Sequence, residues 1–338
     1  MNDAISPAEA LPVQGTAPLA ISARGLAKRF GEVRALDGID LDVPRGMIFA
    51  ILGPNGAGKT TLIRVLATLI KADSGSASVM GNDLTADPQA VRGAIALTGQ
   101  FASLDEDLTG RENLVMLARL WGFPGRRAKD RADELLAAFE LSEAAAKQVK
   151  SYSGGMRRRL DIAASLIVTP GVLFLDEPTT GLDPKARQGV WRMIRQLAQS
   201  GVTILLTTQY LEEADQLAAR IAVIDHGRKI AEGTSRELKS AIGSGFLHVA
   251  LADATPARLD AAEAILAARL GTTIQRSPEG AQLSAIAASA GAANEAIAAL
   301  IAQGIELSDF SMGSPSLDEV FFALTGQPMD EQDEEETR

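Results

Sequence analysis

MIFAILGPNGAGKTT, residues 47–61, runs from unbroken apolar character into a glycine loop and then to Lys59, Thr60 and Thr61. Residues 47–52 show no polar alternation, as in a strand covered on both faces. Gly53, Pro54, Asn55, Gly56, Ala57, Gly58, Lys59 and Thr60 match GxxxxGK followed by Thr. The pattern lies between a predicted buried strand and a predicted helix over 58–69, the context it requires. Glycines let such a loop curl until successive N–H groups face an anion, and the helix adds its positive dipole end. Lys59 then offers an ammonium to outer phosphates, and the Thr60 hydroxyl can take a Mg²⁺ position.

A second apolar run, VLFL at 172–175, ends in Asp176 and Glu177. A buried strand in an α/β sheet delivers such acids at its C-terminal edge, where ligands bind. Two acids beside a phosphate loop need a cation. Asp176 is expected to hold Mg²⁺ directly or through water, and Glu177 to polarise an attacking water as general base.

Around these two points the chain alternates strand and helix. β-type segments that alternate with turns are expected over 21–30 and 37–43, and a short apolar strand over 94–98. Strand runs over 172–175, 202–207 and 220–224 are separated by helix-length stretches, which predicts a largely parallel, covered sheet. Residues 109–169 read as almost wholly helical, an inserted subdomain. After 243 the composition turns Ala-rich, and strand and helix segments follow in the order βαββαβ, the split βαβ arrangement. The domain expectation is a leader at 1–19 and a nucleotide-binding domain at 20–242 with its helical subdomain at about 103–169. A ferredoxin-like α+β domain at 243–326 and an acidic tail at 327–338 complete it.

Composition bounds the function. The 338 residues carry 33 Lys plus Arg against 43 Asp plus Glu, net −10, with 46% hydrophobic and 22% charged residues. That balance is globular, and an acidic surface repels a phosphate backbone, so nucleic acid is not the expected partner. Absence of cysteine excludes disulfides, thiol catalysis and Cys-ligated metals. The first residues lack a basic region and compact apolar core, so no signal peptide is expected. No stretch reads as a membrane span; 283–301 comes nearest, but it is mostly Ala and Ser and contains Asn294 and Glu295.

GPNGAGKTT, Gln100, YSGGM, LFLDEPTTGLD and Gln209 together resemble, in order and spacing, the ATP-binding cassette (ABC) nucleotide-binding subunits over about 20–240. The remainder, with its closing SLDEVFFALTG, is similar to the daunorubicin-resistance type of these subunits. The resemblance implies an α/β P-loop NTPase cassette with a RecA-like core, an antiparallel β subdomain and a helical subdomain, followed by a small α+β domain. It implies ATP and Mg²⁺, with Phe30 stacking on adenine, residues 53–61 around the phosphates, and Thr60, Gln100 and Asp176 about the metal. Ser153, Gly154 and Gly155 would contact the γ-phosphate of ATP on an opposite subunit, and Asp183 would align the two sites. A homodimer clamping ATP is implied, attached to an integral-membrane permease that carries the small-molecule substrate, peripheral on the cytoplasmic face of the cell membrane.

Three positions depart from the family. Tyr152 stands for the usual Leu, Met156 for Gln, and Gln209 for the switch His. Gln can donate to a γ-phosphate but brings no positive charge, so slow hydrolysis dependent on Glu177 is expected. The expected activity is that of an ATPase subunit energising efflux of hydrophobic drugs or antibiotics. A regulatory ATPase with a ligand-sensing C-terminal domain is the second reading. A nucleic-acid or ribosome remodeller fits poorly, because only one cassette is present without a long insertion between cradle and signature. Trp121 and Trp191 are expected to pack between helices, His226 to sit in a hairpin turn, and His248 to pack on a strand. Arg157, Arg158 and Arg159 either steer phosphate or form a solvated helix face.

Overall fold

In the computed structural model, strands β1 (Leu19–Phe30) and β2 (Val33–Pro44) form an antiparallel ribbon. The structure describes residues 18–98, 104–241, 245–277, 282–313 and 316–325. Next come β3 (Ile48–Leu52), helix α1 (Lys59–Leu66), β4 (Ser74–Val79), β5 (Asn82–Asp83), α2 (Pro88–Ala94) and β6 (Ile95–Thr98). The order β2-β1-β4-β5 makes one antiparallel sheet. Its apolar face and α1 share a core with the next sheet through Ile21, Leu26, Ile39, Leu62, Phe49 and Phe174.

Helices α3 (Gly110–Leu120), α4 (Gly125–Ala138) and α5 (Gly154–Ser165) follow, then β7 (Val172–Asp176), α6 (Pro184–Gln199), β8 (Thr203–Thr208), α7 (Leu211–Leu217), β9 (Arg220–Asp225) and β10 (Arg228–Gly233). The six-stranded sheet has the order β10-β9-β3-β8-β7-β6, parallel except for β10. All residues of β3, β7 and β8 are buried, which is why these runs lack alternation. Thr109 begins α3 with a capping box, its hydroxyl accepting from the N–H of Glu112 while the Glu112 carboxylate accepts from the N–H of Thr109.

The chain divides into two compact units, the first ending at Thr234 and the second beginning at Ser235. Helix α8 (Ser235–Ala241), ahead of the composition shift at 243, therefore groups with the second unit. That unit contains β11 (Phe246–Leu251), α9 (Pro256–Leu270), β12 (Gln275–Arg276), β13 (Gln282–Ile286), α10 (Ala290–Ala302), β14 (Leu307–Gly313) and α11 (Leu317–Thr325). Its antiparallel sheet runs β12-β13-β11-β14, with Leu247, Val249, Leu266, Leu283, Ala296 and Leu300 in the core.

Several expectations change. Helix α1 stops at Leu66 instead of reaching 69, because Thr68 takes a positive φ of 60° that no helix continues. The second strand of the expected βαββαβ order is only Gln275–Arg276. Trp121 does not pack between helices: it ends α3 and is 58% exposed. Trp191 is buried on α6 as expected. His226 turns between β9 and β10 with φ 45°. His248 Nδ1 lies 2.9 Å from Ser284 Oγ across the β11–β13 pair. No helix among the described residues is long and apolar enough to cross a membrane.

Candidate functional site

The loop at 53–58 is built for close approach. A Cβ on Gly58, whose φ is +105°, would lie 2.2 Å from the Ala35 carbonyl oxygen, and one on Gly53 would lie 2.2 Å from that of Ile224. Only glycine allows β2 and the end of β9 to press against the loop this tightly. The N–H of Gly227 donates to the Ala57 carbonyl at 3.0 Å and holds the loop from behind.

Lys59, on the first turn of α1, is 4% exposed. Its Nζ donates to the carbonyls of Gly53 at 2.8 Å and Pro54 at 3.0 Å, and lies 3.4 Å from Glu177 Oε1. Burial pulls its pKa below the usual lysine value, and the charges of Glu177 and Asp176 partly restore it. The same turn directs Thr60 Oγ to donate to Asp176 Oδ1 at 3.2 Å, and Thr207 Oγ donates to that oxygen at 2.6 Å. Hydroxyl and carboxylate oxygens are hard donors suited to Mg²⁺, so this set fits the metal.

Glu177 follows β7 in an uncommon backbone state, φ +48°. Its N–H donates to the Thr207 carbonyl at 3.1 Å, and its Oε2 accepts from Thr180 Oγ at 3.4 Å. Gln209, just after β8, is buried, and its Oε1 has no hydrogen-bond partner among the described residues. Thus Lys59, Thr60, Asp176 and Glu177 meet in one place, at the C-terminal edge of β3 and β7.

The other predicted residues sit apart in the sequence and have local tasks of their own. Ser153 caps α5, its Oγ accepting from the N–H of Met156 at 3.3 Å. Ser153 and Gly154 are exposed, whereas Gly155 is buried with its Cβ position 2.8 Å from Ala186 Cβ. Asp183 caps α6 by accepting from the N–H of Ala186 at 2.9 Å. Tyr152, the departure from Leu, is buried and donates to the Ala144 carbonyl at 2.8 Å. Phe30 is 51% exposed with the Lys28 ammonium 5.6 Å from its ring centre, so it is no core residue. Gln100 lies outside the described residues.

Sequence reasoning missed one buried acid and left the setting of Arg158 open. Glu213 on α7 accepts through Oε1 from Thr179 Oγ at 2.8 Å and Trp191 Nε1 at 2.9 Å. Burial pushes its pKa up, and hydrogen bonds from Thr208, Thr179 and Trp191 offset part of this. An acid on the inner face of an otherwise amphipathic α7 is the signal that could have found it. Arg158 turns inward to backbone carbonyls near Glu177, while Arg157 pairs with Glu106 and Arg159 with Glu140. The triplet is thus neither a free phosphate lure nor a plain solvated face.

This sheet order, glycine loop and acid-ended strand define an ATP-binding cassette. The pattern of the ABC transporter family matches residues 36–180. The chain is 56% identical, over 94% of its length and 96% of the relative's, to the daunorubicin/doxorubicin resistance ATP-binding protein of Streptomyces peucetius. It is 43% identical to the doxorubicin resistance ATP-binding protein of Mycobacterium tuberculosis, covering 92% of this chain and 95% of that one. A nucleotide-free ATP-binding cassette from an ABC transporter superposes with a TM-score of 0.60 at 26% identity, covering 67% of this chain and 95% of that one. A dimeric cassette in a post-hydrolysis state with ADP and Pi gives 0.57 at 25% identity, covering 63% and 98%. The chain belongs to the ABC transporter family, among its daunorubicin/doxorubicin resistance ATP-binding proteins. It is an ATPase that uses ATP with Mg²⁺.

Proposed function

We propose that this chain is the motor subunit of an exporter, hydrolysing ATP to drive a separate membrane permease in efflux of hydrophobic drugs or antibiotics. The names of its relatives in Streptomyces and Mycobacterium supply the substrate class. The observation that carries the mechanism is the meeting of Lys59, Thr60, Asp176 and Glu177 at one sheet edge. Loop N–H groups and the Lys59 ammonium bind the β- and γ-phosphates. Thr60 and Asp176 would hold Mg²⁺, which would supply charge neutralisation at the phosphates. Glu177 accepts a proton from the attacking water. Gln209 donates to the γ-phosphate from the end of β8, and exposed Phe30 offers its face to adenine.

Ser153 and the N–H groups opening α5 bind the γ-phosphate held by a second copy, and Asp183 aligns the paired sites. Charge-assisted bonds across that interface close the dimer, and phosphate loss removes them, so the dimer opens. This cycle works a permease on the cytoplasmic face of the membrane. The dimeric relative with ADP and Pi supports the pairing. Lys59→Ala should abolish ATP-induced dimers on a sizing column, and the full chain should co-purify with a membrane protein encoded beside it. ATP-induced dimers that persist in Lys59→Ala count against the cradle.

A further inference from the structure

Arg158 is five residues from the α5 cap at Ser153, yet its guanidinium reaches the backbone at the end of β7. Its Nε donates to the Pro178 carbonyl at 2.9 Å and its Nη2 to the Asp176 carbonyl at 3.1 Å, while Nη1 lies 3.4 Å from Asp161 Oδ2. Burial lowers its pKa, with Asp161, Glu213 and Asp176 opposing that shift. Taking a guanidinium out of water is costly, and here two backbone carbonyls join the Asp161 carboxylate in offsetting that cost. The carbonyls it selects belong to the residues immediately before and after Glu177.

We propose that Arg158 is a positioning residue for hydrolysis, a fork that pins the backbone on both sides of Glu177 and so sets the direction of its carboxylate. The peptide entering Glu177 is gripped at both ends, its C=O by Arg158 and its N–H by Thr207. Beyond Glu177, Pro178 has a fixed φ and its carbonyl is the second anchor. Between these anchors Glu177 holds φ +48°, a state that persists only where its surroundings over-determine it. Displacing a reacting group by about 1 Å can cost roughly 10²-fold in rate, so a loose turn slows proton transfer without loosening the phosphate loop. Because Arg158 and Ser153 share α5, the helix that meets a partner's nucleotide is also the one that aims the base of its own subunit.

The inference rests on Glu177 as the base, so the full chain is compared with Glu177→Gln, Arg158→Gln and Arg158→Lys. Single-turnover hydrolysis of MgATP, affinity for a fluorescent ATP analogue and thermal unfolding are measured on each. Arg158→Gln should hydrolyse about 10- to 100-fold more slowly with affinity kept within about threefold. Arg158→Lys, whose ammonium can reach one carbonyl well but lacks the planar fork, should recover part of the rate. A folded Arg158→Gln or Arg158→Lys chain at the unmodified rate overturns the proposal. So does a loss of rate, affinity and unfolding temperature together, or failure of both variants to fold, since each makes Arg158 scaffolding. If Glu177→Gln is slow while Arg158→Gln is fast, only the fork is wrong; if Glu177→Gln is not slowed, the base assignment falls and the fork falls with it.

Discussion

The Lys59 ammonium and the Glu177 carboxylate stand 3.4 Å apart, both almost wholly removed from water. Each is thereby the other's counter-charge, and a phosphate that draws Lys59 away must compete with Glu177. Removing that carboxylate should weaken hydrolysis and leave nucleotide binding intact or tighter. Glu177→Gln should slow single-turnover hydrolysis by roughly 10²- to 10⁴-fold. Rapid-quench measurement of phosphate release beside equilibrium binding checks both halves; unchanged release would remove Glu177 as the base.

Gly58 and Gly56 separate steric need from conformational need. Both have positive φ, but a Cβ on Gly58 meets the Ala35 carbonyl whereas one on Gly56 meets nothing within 4 Å. Gly58→Ala should therefore cost more than Gly56→Ala, which carries only backbone strain of about 1–2 kcal/mol. Urea unfolding of both variants tests the order, and equal costs would mean that β2 yields freely.

Thr60 Oγ donates to Asp176 Oδ1, and the pair fits a divalent ion. Thr60→Ala should raise the Mg²⁺ concentration for half-maximal turnover by at least about tenfold, and Thr60→Ser should restore it. A Mg²⁺ titration at fixed ATP reads this directly. An unaltered midpoint would rule out the hydroxyl as a ligand.

Glu213 links pH to stability. Burial raises its pKa above the unfolded value of 4.5, so the native chain keeps a proton that the unfolded chain releases. Its contribution is whole below that value and is lost as pH climbs through the raised native pKa. Glu213→Gln lacks this loss and should gain stability relative to the unmodified chain between about pH 5 and pH 8. Denaturant midpoints at the two pH values decide it; a difference that shrinks or stays flat would mean Glu213 is charged in the fold.

Much of this was legible in the chain because the signals are local. The glycine loop and the apolar strand before Asp176 each need only neighbouring residues. Helix α11 was equally legible but missed: Ser316 and Glu319 form a capping box, the Glu319 carboxylate accepting from the Ser316 N–H at 2.7 Å. Trp121 misled because an aromatic in an apolar helix suggests packing, yet its position at the end of α3 leaves it in water.

By itself the sequence determined the nucleotide chemistry, since a phosphate loop and an acid-ended strand are written in short segments whose backbone geometry follows from glycine, β-branched and capping residues. Tertiary structure alone decided what surrounds Glu177: Thr207 from β8, Arg158 from α5 and Lys59 from α1 converge on one turn. No spacing along the chain encodes that convergence, because sheet order and helix packing bring distant residues together, and burial then gives their charges the strength that water would screen.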